Sequence, residues 1–153
     1  MDMINQCHPI DILLVEDNPG DARLTLEALK EAKVCNELYV VEDGVEAMGF
    51  LHKEGEYIDA PTPDLILLDL NLPKKSGQEV LEEIKEDPLL LLIPVIVLTT
   101  SEAEKDVLRA YNLHANCYVV KPVNYEKFLE SIRQITGFWL SVVKLPSAVG
   151  VGT

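Results

Sequence analysis

The chain has 153 residues, 48% of them hydrophobic, with 26 acidic against 13 basic side chains and a formal net charge of −13. That length supports one ordinary domain with its own core and not two, and the excess negative charge repels nucleic-acid phosphates and anionic membrane surfaces, leaving proteins and cations as partners. The longest apolar run, Leu89 to Leu98, contains Pro94 and falls short of the ~20 residues a membrane-spanning helix needs, and Met1 to His8 lack the basic start and apolar stretch of a secretion signal, which points to the cytoplasm.

Taken in chain order, five short apolar segments read as strands: Ile10 to Val15, Leu38 to Val41, Leu65 to Leu68, Val95 to Leu98 and Cys117 to Val120. Three of them, ILLV, LILL and VIVL, are continuously apolar rather than alternating, the pattern of strands covered by helices on both faces of a parallel sheet. Between them the period becomes helical, through Ala22, Leu26 and Leu29, then Val45, Met48 and Leu51, then Val80 and Ile84, then Ala103, Val107 and Tyr111. Asp43 before Gly44 and Ser76 before Gly77 supply capping oxygens, while Pro88 and Pro94 end the third helix and open the fourth strand. A fifth helix, from about residue 124 to 143, follows. The order is (βα)5, a doubly wound, flavodoxin-like α/β fold with sheet order 2-1-3-4-5, spanning residues 8–145 between flexible termini 1–7 and 146–153. Cys7, Cys35 and Cys117 are odd in number and unpatterned, and read as three thiols. His8, His52 and His114 lie outside the strand ends and read as surface or packing residues.

In such a sheet ligands collect beyond the carboxyl ends of the strands, where strand order reverses. Those positions hold Glu16 and Asp17 after the first strand, Asp69 and Asn71 around the end of the third, Thr99 after the fourth and Lys121 after the fifth. Converging carboxylates raise one another's pKa unless a cation neutralises them, and Mg²⁺, an oxygen-seeking ion that takes one or two carboxylates beside a phosphate, fits Asp17 and Asp69. Lys121 and Thr99 then suit the oxygens of a phosphoryl group, with Asp69 as its acceptor. Asp17 before Asn18-Pro19 reads equally as a helix cap when taken alone; the four-position set is what favours chemistry.

These residues resemble the CheY-like receiver domains of two-component response regulators, through the acidic pair of ILLVEDNPGD, LILLDLNLP with the KKSG that follows, the hydroxyl of IPVIVLTTS and the lysine of CYVVKP. The resemblance implies that Glu16, Asp17, Asp69 and the backbone carbonyl of Asn71 hold Mg²⁺, with Glu16 acting through water. It also implies that Lys121 binds the phosphoryl group, that Thr99 and Tyr118 form the switch, and that the Lys121–Pro122 bond is cis. The FWL segment at Phe138 to Leu140, the LP ending, LTTS and NCYVVKP are similar to the stand-alone regulators paired with cyanobacterial phytochromes. The implied donor is a sensor histidine kinase, phytochromes included.

The fifth helix carries Tyr125, Phe128, Leu129, Ile132, Ile135, Trp139 and Val142 near one stripe, and Phe138, Leu140 and Val143 widen it beyond what one sheet face covers. A homodimer through the face of the fourth helix, fifth strand and fifth helix is expected. The apolar Leu89 to Leu92 reads either as a local collapse or as an extension of that interface. Two rivals are weaker on the residues. A phosphohydrolase with an aspartyl-phosphate intermediate wants a carboxylic acid where Asn71 stands. A flavodoxin-like cofactor protein wants a phosphate loop where EDNPGD would repel phosphate. A receiver that serves only as a scaffold is disfavoured by the complete residue set.

Overall fold

The computed structural model describes residues 9–31, 35–99, 115, 117–121, 126 and 130, with Thr99 by its backbone alone. Five parallel strands, β1 (Ile10–Val15), β2 (Asn36–Val41), β3 (Leu65–Asp69), β4 (Val95–Thr99) and β5 (Cys117–Val120), form one sheet in the order β2-β1-β3-β4-β5. This is the expected doubly wound order, with the reversal between β1 and β3. Three helices fall among the described residues: α1 (Pro19–Glu31), α2 (Gly44–Leu51) and α3 (Gly77–Glu86). The expected fourth helix, the fifth helix apart from the helical Glu126 and Glu130, the dimer face they would build and the Lys121–Pro122 bond lie outside the described residues. No helix among the described residues is long and apolar enough to cross a membrane.

The unbroken apolar runs are explained by a core on each face of the sheet. Alternate residues Ile10, Ile12, Leu14, Leu65, Leu67, Ile96 and Leu98 meet Ala28 and Leu29 of α1 on one side. The intervening Leu13, Val15, Ile66, Leu68, Val95 and Val97 meet Ala47, Met48, Phe50 and Leu51 of α2 and Val80, Leu81 and Ile84 of α3 on the other. Period-two geometry sends neighbouring side chains to opposite faces, so covering both faces requires apolar residues at every position.

Helix entries follow the expected capping chemistry. Asp43 Oδ1 accepts from Glu46 N at 2.7 Å. Ser76 and Glu79 form a reciprocal capping box, Glu79 N donating to Ser76 Oγ at 3.2 Å and Ser76 N donating to Glu79 Oε1 at 2.9 Å. The third helix stops at Asp87, held extended (φ −100, ψ 116) in front of Pro88 as a pre-proline residue prefers.

Three expectations need correction, and one open alternative is narrowed. β2 begins at Asn36, not Leu38, because its first residues pair with Ile10 and Asp11 on the open edge of the sheet, where polar side chains reach water. Val45 is 54% exposed, since α2 turns Ala47, Met48, Phe50 and Leu51 inward instead. Cys35 is disulfide-bonded, whereas Cys117 is a buried thiol outside any disulfide, so the reading of three thiols fails at Cys35. In the Leu89 to Leu92 run, Leu90 tucks into the α3-side core at 3% exposure while Leu89 and Leu92 remain 86% exposed, so the run is partly a local collapse.

Candidate functional site

Strand register brings the carboxylates together. Val15 pairs with Leu68, so the next residues, Glu16 and Asp69, reach the carboxyl edge of the sheet side by side at the reversal between β1 and β3. Thr99 pairs with Val120, which places Thr99 and the following Lys121 at that same edge. One carboxylate oxygen from each of Glu16, Asp17 and Asp69 lies within 4.8 Å of the others. Glu16 and Asp69 are buried, at 1% and 2% exposure, and Asp17 is exposed.

Among the described residues, Lys121 is the cation of this cluster. Its Nζ donates to Glu16 Oε2 at 3.2 Å and to Asp69 Oδ2 at 3.3 Å, and stands 2.8 Å from Asp21 Oδ2. The Oε1 of Glu16 is 3.0 Å from the same nitrogen, but poorly aligned, and it has no hydrogen-bond partner among the described residues. Burial, joined by repulsion from Asp69, pushes the Glu16 carboxyl up to about 7 against the pull of Lys121. Burial works against the Lys121 ammonium, yet its bonds to Asp21 and Glu16 and the charge of Asp69 hold its pKa above the ordinary lysine value.

Local backbone structure fixes Asp69. Asp69 Oδ1 accepts from Asn71 N at 3.1 Å, and Gly77 N donates to Leu70 O at 3.1 Å, folding the loop after β3 back onto the strand end. A Cβ at Gly77 would fall 2.3 Å from the Asp69 carbonyl oxygen and 2.6 Å from Leu70 Cα. Only glycine permits that approach, so Gly77 is a packing requirement at the end of β3.

The cap of α1 is Asn18, whose Oδ1 accepts from Asp21 N at 3.0 Å, so Asp17 is released from the capping role that its sequence equally allowed. Tyr118 is half-buried beside the α3-side core, its hydroxyl accepting from Ala115 N at 3.5 Å. The side chain of Thr99 lies outside the described residues. Asp21 was not among the expected site residues. It sits a turn inside α1, where attention to strand ends does not reach; its one sequence signal is an acid three residues after a capping asparagine.

The arrangement suits a hard divalent cation. Three carboxylates converge, and a buried oxygen lacking a hydrogen-bond partner faces the cluster. Residues 12–133 match the response regulator receiver domain. The chain belongs to the response regulator receiver family. It is 52% identical over 140 residues to response regulator Rcp1 of Synechocystis, covering 92% of this chain and 95% of that one. The solved Mn²⁺-bound form of Rcp1 aligns with a TM-score of 0.72 and 52% identity over 91% of this chain and all (100%) of that one. The phosphorylated cyanobacterial phytochrome response regulator RcpA aligns with a TM-score of 0.73 and 53% identity, covering 92% of this chain and 100% of that one. The bacteriophytochrome response regulator RtBRR aligns with a TM-score of 0.82 and 43% identity, covering 92% and 85%. The receiver is a phosphorelay signalling domain, and divalent-metal binding accords with its acidic cluster.

Proposed function

We propose that the protein takes a phosphoryl group from the phosphohistidine of a sensor histidine kinase, a phytochrome being the favoured donor, onto the carboxylate of Asp69. The observation that carries this reading is a buried carboxylate at the sheet reversal, level with Glu16 and 3.3 Å from a lysine ammonium. An Asp69 oxygen attacks phosphorus in line as the bond from phosphorus to the histidine nitrogen breaks, and the departing imidazole nitrogen keeps the electron pair. Asp69 is thereby an acyl phosphate. Lys121 and the Thr99 hydroxyl take the phosphoryl oxygens. Glu16, Asp17, Asp69 and the carbonyl of Asn71 would hold Mg²⁺, which neutralises charge developing on the transferred group.

On this reading the protein is a signalling acceptor, not a turnover enzyme, and works in the cytoplasm. Thr99 and Tyr118 form the switch that biases a two-state equilibrium. The output is the face of the fourth helix, β5 and the fifth helix, through homodimerisation or partner binding. The test is intact mass after incubation with a small phosphodonor and Mg²⁺. One added phosphoryl group is expected, absent in Asp69→Asn and after chelation; a wild-type chain that gains none refutes the reading.

A further inference from the structure

Lys121 contacts three carboxylates, and the shortest separation is to the one that no strand end supplies. Its Nζ is 2.8 Å from Asp21 Oδ2, against 3.0 Å for Glu16 and 3.3 Å for Asp69. Asp21 is itself held firmly. Its N–H donates to Asn18, and its carbonyl accepts from the buried Thr25 hydroxyl at 3.1 Å, so the carboxylate is carried by the capped first turn of α1.

The consequence concerns competition. An ammonium and a divalent cation want the same Glu16 and Asp69 oxygens, and each unit of positive charge Lys121 places there is charge the metal must displace. A carboxylate on α1 that draws the ammonium to its own side relieves that competition. It also leaves Lys121 with a partner when its contacts with Glu16 and Asp69 are replaced.

We propose that Asp21 is a positioning residue that docks the Lys121 ammonium on the α1 side of the crevice and so keeps Glu16 and Asp69 available to a divalent cation. The inference rests on the receiver reading above, in which that cation supports phosphoryl transfer. Asp21 acts through Lys121, not as a metal ligand, and this distinction can be measured. If the route is through Lys121, the effect of losing Asp21 must vanish when Lys121 is already gone; if Asp21 acts only by its field at the metal, the effect must persist.

The experiment is Mn²⁺ binding to the full chain, followed by the electron paramagnetic resonance signal of free Mn²⁺. The chains compared are wild type, Asp21→Asn, Asp21→Glu, Lys121→Met and the Asp21→Asn/Lys121→Met pair. Asp21→Asn is expected to raise Kd about fivefold in the wild-type background and less than about twofold in the Lys121→Met background, as coupled neighbours do. Lys121→Met alone should tighten binding, and Asp21→Glu should restore most of the wild-type affinity. An equal rise in both backgrounds, or no rise in either, overturns the proposal while leaving the metal site intact. Failure of the wild-type chain to bind Mn²⁺ would instead overturn the metal reading beneath it, and this proposal with it.

Discussion

Replacing Glu16 by glutamine removes a buried charge while nearly keeping its shape, and the structure fixes how the effect should depend on pH. The folded carboxyl titrates at about 7, against 4.5 when unperturbed, with burial the leading cause. Between those values the folded chain holds a proton that the unfolded chain has released, so rising pH favours unfolding through that window, and the loss is complete above about pH 7. At ~1.4 kcal/mol per pH unit, the interval corresponds to a loss on the order of 3 kcal/mol by pH 8, of which less than about 1 kcal/mol has accrued at pH 5. Glu16→Gln lacks that loss. In chelator, its melting temperature should exceed wild type by several degrees at pH 8, taking roughly 2–4 °C per kcal/mol for a chain of this size, and approach wild type at pH 5. Thermal unfolding followed by circular dichroism across that range tests it. On the proposed reading, saturating Mg²⁺ should raise the wild-type melting temperature at pH 8 and the variant's by less, because the variant would have given up a metal-binding carboxylate. A melting difference that stays constant from pH 5 to 8 would refute the argument that Glu16 is a strained, proton-holding acid.

Three further outcomes are expected. Gly77→Ala forces a Cβ to within 2.3 Å of the Asp69 carbonyl, so it should slow phosphorylation by a small phosphodonor tenfold or more, on the order of what misplacement by an ångström costs, and lower the melting temperature; a rate within about twofold of wild type would show that the loop gives way freely. Ser76→Ala opens the α3 capping box and should cost about 1 kcal/mol in urea unfolding, with the phosphodonor reaction still occurring. Leu67→Ala, in the fully buried middle of β3, should cost about 2–5 kcal/mol by the same measurement, and a loss below about 1 kcal/mol would mean that the α1-side core can collapse around the gap.

Much of the fold is legible because burial on two faces leaves an unmistakable trace. Leu65 to Leu68 could be apolar throughout only if helices lay on both sides, and the strand-end rule then locates Glu16, Asp17, Asp69 and Lys121 together. Where one face or edge meets water, the trace weakens. Asn36 and Glu37 belong to β2 yet look like loop, because the edge strand imposes no apolar demand on them. Val45 fits the helical period of α2 yet faces outward, because Gly44 and Ala47 let the helix present a neighbouring stripe. The disulfide at Cys35 was illegible for another reason: an odd number of cysteines at irregular spacing carries no pairing signal, and pairing depends on geometry that sequence does not show. Asp21 is not legible because its contact with Lys121 arises from a capped turn reaching back over the crevice, a three-dimensional return that no strand-end inspection would find.

On the proposed reading, the charge balance of the crevice would let these residues act as a switch and not only as a binding site. Among the described residues, Glu16, Asp21 and Asp69 surround the Lys121 ammonium, Asp17 lies beside Glu16 and Asp69, and burial raises the Glu16 carboxyl to about 7. A phosphoryl group on Asp69 exchanges a single negative charge for about two and adds acceptor oxygens. The cation must then be redistributed, and Lys121 is the movable one: its grip on Asp21, 2.8 Å long, competes with the new oxygens. Lys121 directly follows β5, and Tyr118 lies three residues before it in the strand and against the α3-side core. Any shift of the ammonium toward Asp69 therefore pulls on the end of the strand that carries Tyr118. On that reading the chemistry at β1 and β3 would be joined to the β5 edge by one side chain, and the hold of Asp21 on it would set the strength of that link.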